Sequence, residues 1–131
     1  MSGALLPFGS GCVGPTGTTP QITASGEPRP GNQTFGMRVN NAPPNSLAVL
    51  VVSSQLTSSP IPGAPGCNLY AGLPLLLALP TVTNAFGVGL ATVPLPCSVP
   101  PGVALAFQWG IYTPGHNAFG WITSNDIDAA W

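Results

Sequence analysis

Residues 103–112 read VALAFQWGIY, a stretch in which Val103, Leu105, Phe107, Trp109 and Ile111 alternate with Ala104, Ala106, Gln108, Gly110 and Tyr112. Side chains on a β-strand point to opposite faces with period two. The first set therefore forms a core-facing row, and the second a smooth, exposed face of small residues ending in an aromatic. No helical period fits this stretch, and none fits its neighbours. The run SLAVLVVS (46–53) is apolar on both faces, as expected of a central strand covered on each side.

Working outward, further short runs read as strands: 21–25 (QITAS), 33–39 (QTFGMRV), 68–72 (NLYAG), 75–79 (LLLAL), 85–93 and 118–123. With the first two, that makes about eight. Between them lie SGEPRPGN, NAPPN, SSPIPGAPG, VPLPCSVPPG and TPGHN, each with the proline or glycine that a chain reversal requires. Proline is expected to stay outside the strands. Many short strands at roughly ten-residue spacing, without helices, predict an all-β, two-sheet antiparallel β-sandwich of jelly-roll or immunoglobulin-like type. Residues 20–131 would form that single domain, and residues 1–19 an extended, non-strand N-terminal leader.

Composition supports folding. Gly and Pro number 17 each in 131 residues, about a quarter of the chain, a level that suggests low complexity when apolar residues are scarce. Here Leu, Ile, Val and Phe contribute a similar share, enough for a core. The charged residues are Glu27, Arg29, Arg38, Asp126 and Asp128, joined by one histidine, His116, and no lysine. Two arginines in a chain of net charge −1 cannot neutralise a phosphate backbone, which excludes nucleic acid as a partner. A basic membrane-surface helix is excluded on the same count. The longest apolar run, LPLLLALP (73–80), is far below the ~20 residues of a spanning helix and reads as a buried strand. The opening MSGALLPFGSG has no basic n-region, so no secretory signal is expected within it.

Cys12, Cys67 and Cys97 form no C-x-x-C pair and no zinc spacing, so neither a metal nor another cofactor is expected. An odd count leaves one thiol over after a bridge, and a charge-poor chain rich in Ser, Thr, Asn, Gly and Pro favours an oxidising, extracellular setting. Cys12 with Cys67 is the pairing adopted, and three reduced, buried cysteines are the alternative. A 55-residue loop closed this way would contribute about 4 kcal/mol in the chain-entropy model.

Chemistry-bearing motifs are few. His116 lies in the turn TPGHN with no nucleophile motif beside it, and reads as a solvent-facing turn residue. Asn125, Asp126 and Asp128 offer oxygens to a calcium ion but fall short of the six to eight ligands it takes. Glu27 and Arg29 share a loop, where an ion pair is the simpler account. Asn32-Gln33-Thr34 is a formal glycosylation sequon. A hydrolase would need nearly every titratable residue at once. Of the aromatics, Trp109 and Trp121 suit a packed interior. Tyr70, Tyr112, Trp121 and Trp131 are the candidates for an interaction surface, able to stack on sugar rings or anchor a neighbour.

Across nearly the whole chain the sequence resembles a C-terminal β-sandwich domain found at the ends of large secreted proteins of planctomycetes and related bacteria. The matching pieces are FGSGCVG (8–14), ITASGEPRPGNQTF (22–35), NAPPN (41–45), GAPGCNLYA (63–71), VPLPCSVPPGVALAFQW (93–109) and TPGHNAFGWITSN (113–125), in that order. The resemblance implies an exported sandwich with Cys12 and Cys67 at the family's two cysteine positions. Cys97 departs from the pattern and is left as the free thiol, and His116 and Trp121 are local variations. The resemblance implies no enzymatic activity. The expected function is that of a non-catalytic extracellular structural or interaction module that associates with copies of itself or with neighbouring extracellular domains. The alternative is a carbohydrate-binding module that recognises glycans through exposed aromatics.

Overall fold

The computed structural model describes residues 4–15, 17–25, 36–64, 66–72, 77–92 and 104–130. These residues are all-β, with no helix among them. Ten strands follow one another: β1 (Ala4–Phe8), β2 (Gln21–Ser25), β3 (Gly36–Asn40), β4 (Leu47–Ser53), β5 (Leu56–Pro60), β6 (Asn68–Ala71), β7 (Leu77–Val82), β8 (Gly89–Thr92), β9 (Ala104–Tyr112) and β10 (Trp121–Ala130). They form three antiparallel sheets, ordered β1-β10-β9-β4-β7, β2-β3-β8 and β5-β6.

The alternation within 103–112 sets the inner face of the largest sheet. Phe107, Trp109 and Ile111 of β9 stand beside Val52, Leu50 and Ala48 of β4, and all six are buried. Ile22 of β2, Met37 and Val39 of β3 and Ala91 of β8 join them in one apolar cluster, so the five-stranded and three-stranded sheets share a core. Complete burial of each large side chain in it contributes about 1.5–3 kcal/mol. β-branched Val49, Val51 and Val52 keep β4 extended, and its place between β9 and β7 agrees with a run that is apolar on both faces.

The other face of β9 is not the open surface expected. Ala106 and Gln108 are buried, because β6 crosses over β4, β9 and β10 and covers them. One amide side chain organises that crossing. Gln108 Oε1 accepts hydrogen bonds from the backbone N–H groups of Tyr70 (2.9 Å) and Ala71 (3.3 Å), and its Nε2 donates to the carbonyls of Asn68 (2.8 Å) and Ser124 (3.0 Å). The three bonds to β6 replace ones that a strand laid across a sheet cannot make by ladder pairing, and the fourth holds a carbonyl of β10.

Two strands were not foreseen. β1 lies inside the expected non-strand leader and pairs with β10 of its own chain, from Ala4 opposite Ala130 to Phe8 opposite Asp126. β5 (LTSSP) pairs with β6 through an irregular register. Proline also enters strands, against expectation: Pro7 in β1, Pro60 in β5 and Pro80 in β7. β1 and β7 are the two edges of the large sheet. A proline there removes a main-chain donor, so each of these edges carries a device against strand addition.

Candidate functional site

The face of the five-stranded sheet turned away from the core gathers most of the candidate residues. Its geometry depends on an irregularity in β10. Thr123 pairs with Gly110 and Asp126 with Gln108, so three steps on β10 match two on β9. The extra residue forms a bulge that reverses the side-chain alternation, as bulges do. Ile127 and Ala129 therefore face the core beside Phe107 and Leu105, and Asp126 and Asp128 are carried to the outer face beside Gln108 and Ala106. Within the bulge, Ser124 Oγ accepts the Trp109 N–H at 3.0 Å, and Asn125 Oδ1 accepts the Ile22 N–H at 3.0 Å, tying β10 to β2.

Of the three residues considered for an ion, Asn125 is thus engaged with β2, while Asp126 and Asp128 share a face. Asp126 is fully buried and neither of its carboxyl oxygens has a hydrogen-bond partner other than its fellow acid. Burial, then a hydrogen bond with Asp128, then the charge of Asp128 push its carboxyl from 3.8 up to about 9. Asp126 therefore presents a protonated carboxyl at neutral pH, hydrogen-bonded to Asp128. Among the described residues no group of three metal-ligating side chains occurs.

Cys12 and Cys67 form a disulfide, with Cα atoms 4.9 Å apart and 55 positions between them in sequence. It joins the segment after β1 to the turn before β6, and the Cys12 N–H donates to the Thr123 carbonyl at 3.1 Å, so both are held against β10. Tyr70 lies beneath this junction. Its ring meets Phe8 edge to face at 5.4 Å, and its hydroxyl both donates to the Ser10 carbonyl and accepts the Ser10 N–H, each at 3.2 Å. At 4% exposure Tyr70 is part of the interior and is withdrawn from the candidate interaction surface.

Tyr112 and Trp121 remain. They face each other across β9 and β10, ring centroids 5.1 Å apart and planes inclined by 53°. Trp109, by contrast, is wholly buried. On the Trp121 side of this pair runs an apolar groove of about 230 Å³, walled by Val49 and Val51 of β4, Gly110 of β9, and Ile61, Leu69 and Phe119. The Phe119 N–H donates to the Gly63 carbonyl at 3.0 Å, which fixes the β9–β10 turn against the β5–β6 turn at the groove's rim. On the Tyr112 side lies a wider recess of about 620 Å³, lined by Ser46, Thr113, Pro114 and His116 together with Gly14, Pro15 and Pro43. His116 is exposed in its turn, as expected, with Nε2 3.0 Å from the Val13 carbonyl.

Sequence reasoning missed Gln108, whose isolated amide in a row of Ala and Gly was the available signal, and it missed Phe119, Ser46 and Thr113, which carry no pattern of their own. Cys97, Trp131, Glu27, Arg29 and the Asn32 sequon lie outside the described residues. No helix among the described residues is long and apolar enough to cross a membrane. Comparison of the chain with protein-family models, with characterised proteins and with solved structures gives no match.

Proposed function

We propose that this chain is a non-catalytic, extracellular interaction module built as a two-layer antiparallel β-sandwich, and that it associates with copies of itself through the uncovered part of its outer sheet face. The observation that carries this reading is the apolar groove beside Trp121, continuous along β4 with exposed Leu47 and, across the strand pair, with exposed Val82. Contiguous exposed apolar surface of this kind marks a contact region more often than it is left to water.

Charge supports the same reading. The charged residues among those described are Arg38, Asp126 and Asp128. With Asp126 protonated, the formal net charge of −1 becomes zero at neutral pH, which removes the repulsion that keeps copies apart. Pro7 and Pro80 at the sheet edges disfavour strand addition, so the contact is face to face. The disulfide is compatible with an extracellular location and supports the proposed kinship with exported sandwich domains. Chemistry at a substrate is disfavoured, since Asp126 is closed off from solvent and His116 rests on the Val13 carbonyl. The test is sedimentation velocity over a range of concentrations for the parent chain and for Val51→Lys, which places a charge in the groove. Association that weakens in the variant supports the reading.

A further inference from the structure

We propose that the recess on the far side of Tyr112 binds a neutral saccharide. The inference does not rest on self-association, because the recess and the groove share none of their lining residues.

Four observations converge on this ligand class. The first is size: about 620 Å³ falls within the range of roughly 300–1,000 Å³ typical of small-ligand sites. The second is a platform. Tyr112 is 44% exposed and its ring is held by Trp121, so an aromatic surface is presented in a fixed orientation. The C–H faces of a pyranose pack against such a ring, and the phenol adds a polar tip.

The third is an unused polar group. Thr113 is 95% buried, its backbone N–H donates to the Gly120 carbonyl and its carbonyl accepts the His116 N–H, yet its Oγ1 has no hydrogen-bond partner. That oxygen is closed off from solvent in the free protein, an unfavourable state that a rotation of the Thr113 side chain toward a ligand hydroxyl would relieve. Ser46 and His116 line the same recess. His116 Nε2 faces the Val13 carbonyl at 3.0 Å, which leaves its other ring nitrogen for a ligand. The Ser46 hydroxyl, which gives its proton to the Pro44 carbonyl and keeps its lone pairs, the Thr113 hydroxyl and a ring nitrogen together offer partners to the hydroxyls of a sugar.

The fourth is charge. Among the described lining residues, His116 and Tyr112 are the titratable ones, and none is a carboxylate, lysine or arginine. An anionic or cationic sugar would find no counter-charge, so a neutral one is favoured. Pro43 and Pro114 give rigid walls, and they disfavour a proline-rich peptide, which would bring apolar rings to polar groups already in need of partners.

The experiment is a titration of the disulfide-bonded protein with cellohexaose, xylohexaose, mannohexaose and chitohexaose, followed by ligand-observed NMR and calorimetry, with a proline-rich decapeptide as comparison. Saturable binding of at least one hexasaccharide is expected. Tyr112→Ala should weaken it at least tenfold, and the isosteric Thr113→Val severalfold with an unchanged melting temperature. Val51→Lys, in the groove, should leave it intact while lowering self-association. No binding of any saccharide at about 1 mM, where the standard free energy is still about −4 kcal/mol, overturns the proposal. So does binding unaffected by Tyr112→Ala and Thr113→Val, or binding of the peptide alone. A monomeric protein that binds a saccharide would refute the association reading and leave this one standing.

Discussion

The side chain of Gln108, in the middle of β9, accepts the backbone N–H of Tyr70 at 2.9 Å and so carries the strand that covers the outer face of the sheet. Replacing it with leucine keeps the volume and removes four hydrogen bonds. The N–H groups of Tyr70 and Ala71 and the carbonyls of Asn68 and Ser124 would lose their side-chain partner. At about 1 kcal/mol for each such loss, Gln108→Leu should destabilise the fold by about 2–4 kcal/mol, measured by denaturant unfolding. A loss below about 0.5 kcal/mol, the range of ordinary surface changes, would show that β6 is held by apolar contact instead.

Gly9 stands at φ +72°, and a Cβ there would lie 2.3 Å from the Tyr70 ring. Strain and overlap act together, so Gly9→Ala should cost at least about 2 kcal/mol. Tyr70→Phe in the same background would not restore stability, because the overlap is with ring carbon as well as with the hydroxyl. Thermal melts of the single and double variants decide the matter.

Buried Asp126 makes stability fall as pH rises. Asp126 has its carboxyl raised from 3.8 to about 9, so the folded chain holds a proton there that the unfolded chain releases above about pH 4. Between about pH 4 and pH 9 the native state binds more protons, and its stability therefore declines by at most about 1.4 kcal/mol per pH unit for this group. Asp126→Asn removes the group that ionises. It should flatten the profile and be more stable than the parent at pH 8. Parallel profiles for parent and variant would place the proton elsewhere.

Reduction should be costly. The Cys12–Cys67 bridge closes a loop of 55 residues, worth about 4 kcal/mol by chain entropy. Cys12→Ser should lower the unfolding midpoint accordingly, while reductant has no further effect on that variant. A midpoint unchanged by reductant in the parent would mean that the contacts of Cys12 with Thr123 hold this junction without the bridge.

How far the sequence disclosed this arrangement varies by residue. The row Phe107, Trp109, Ile111 was legible because period two survives along β9, and LAVLVV revealed a central strand because both its faces are apolar. Gln108 and Tyr70 were misread for one reason: covering a sheet face with β6 is a long-range event, and local alternation records only which side a residue is on. Asp126 was hidden by the bulge at residues 123–126, where one extra residue reverses the alternation. β1 and β5 escaped because ALLPF and LTSSP contain proline and lack alternation. Their strand character comes from pairing with β10 and β6. Of the candidate surface, Tyr112 and Trp121 were singled out from residue type alone. Ser46, Thr113 and Phe119 are brought to them by turns that residue type does not specify.

The central claim is that the uncovered outer face is a contact surface between copies. Sedimentation velocity of the oxidised protein at neutral pH, from micromolar to millimolar concentration, tests it most directly. The account predicts a mass that rises with concentration above the 13.2 kDa of one chain, and a marked weakening of that rise in Val51→Lys. A single 13.2 kDa species throughout, identical in parent and variant, would contradict it.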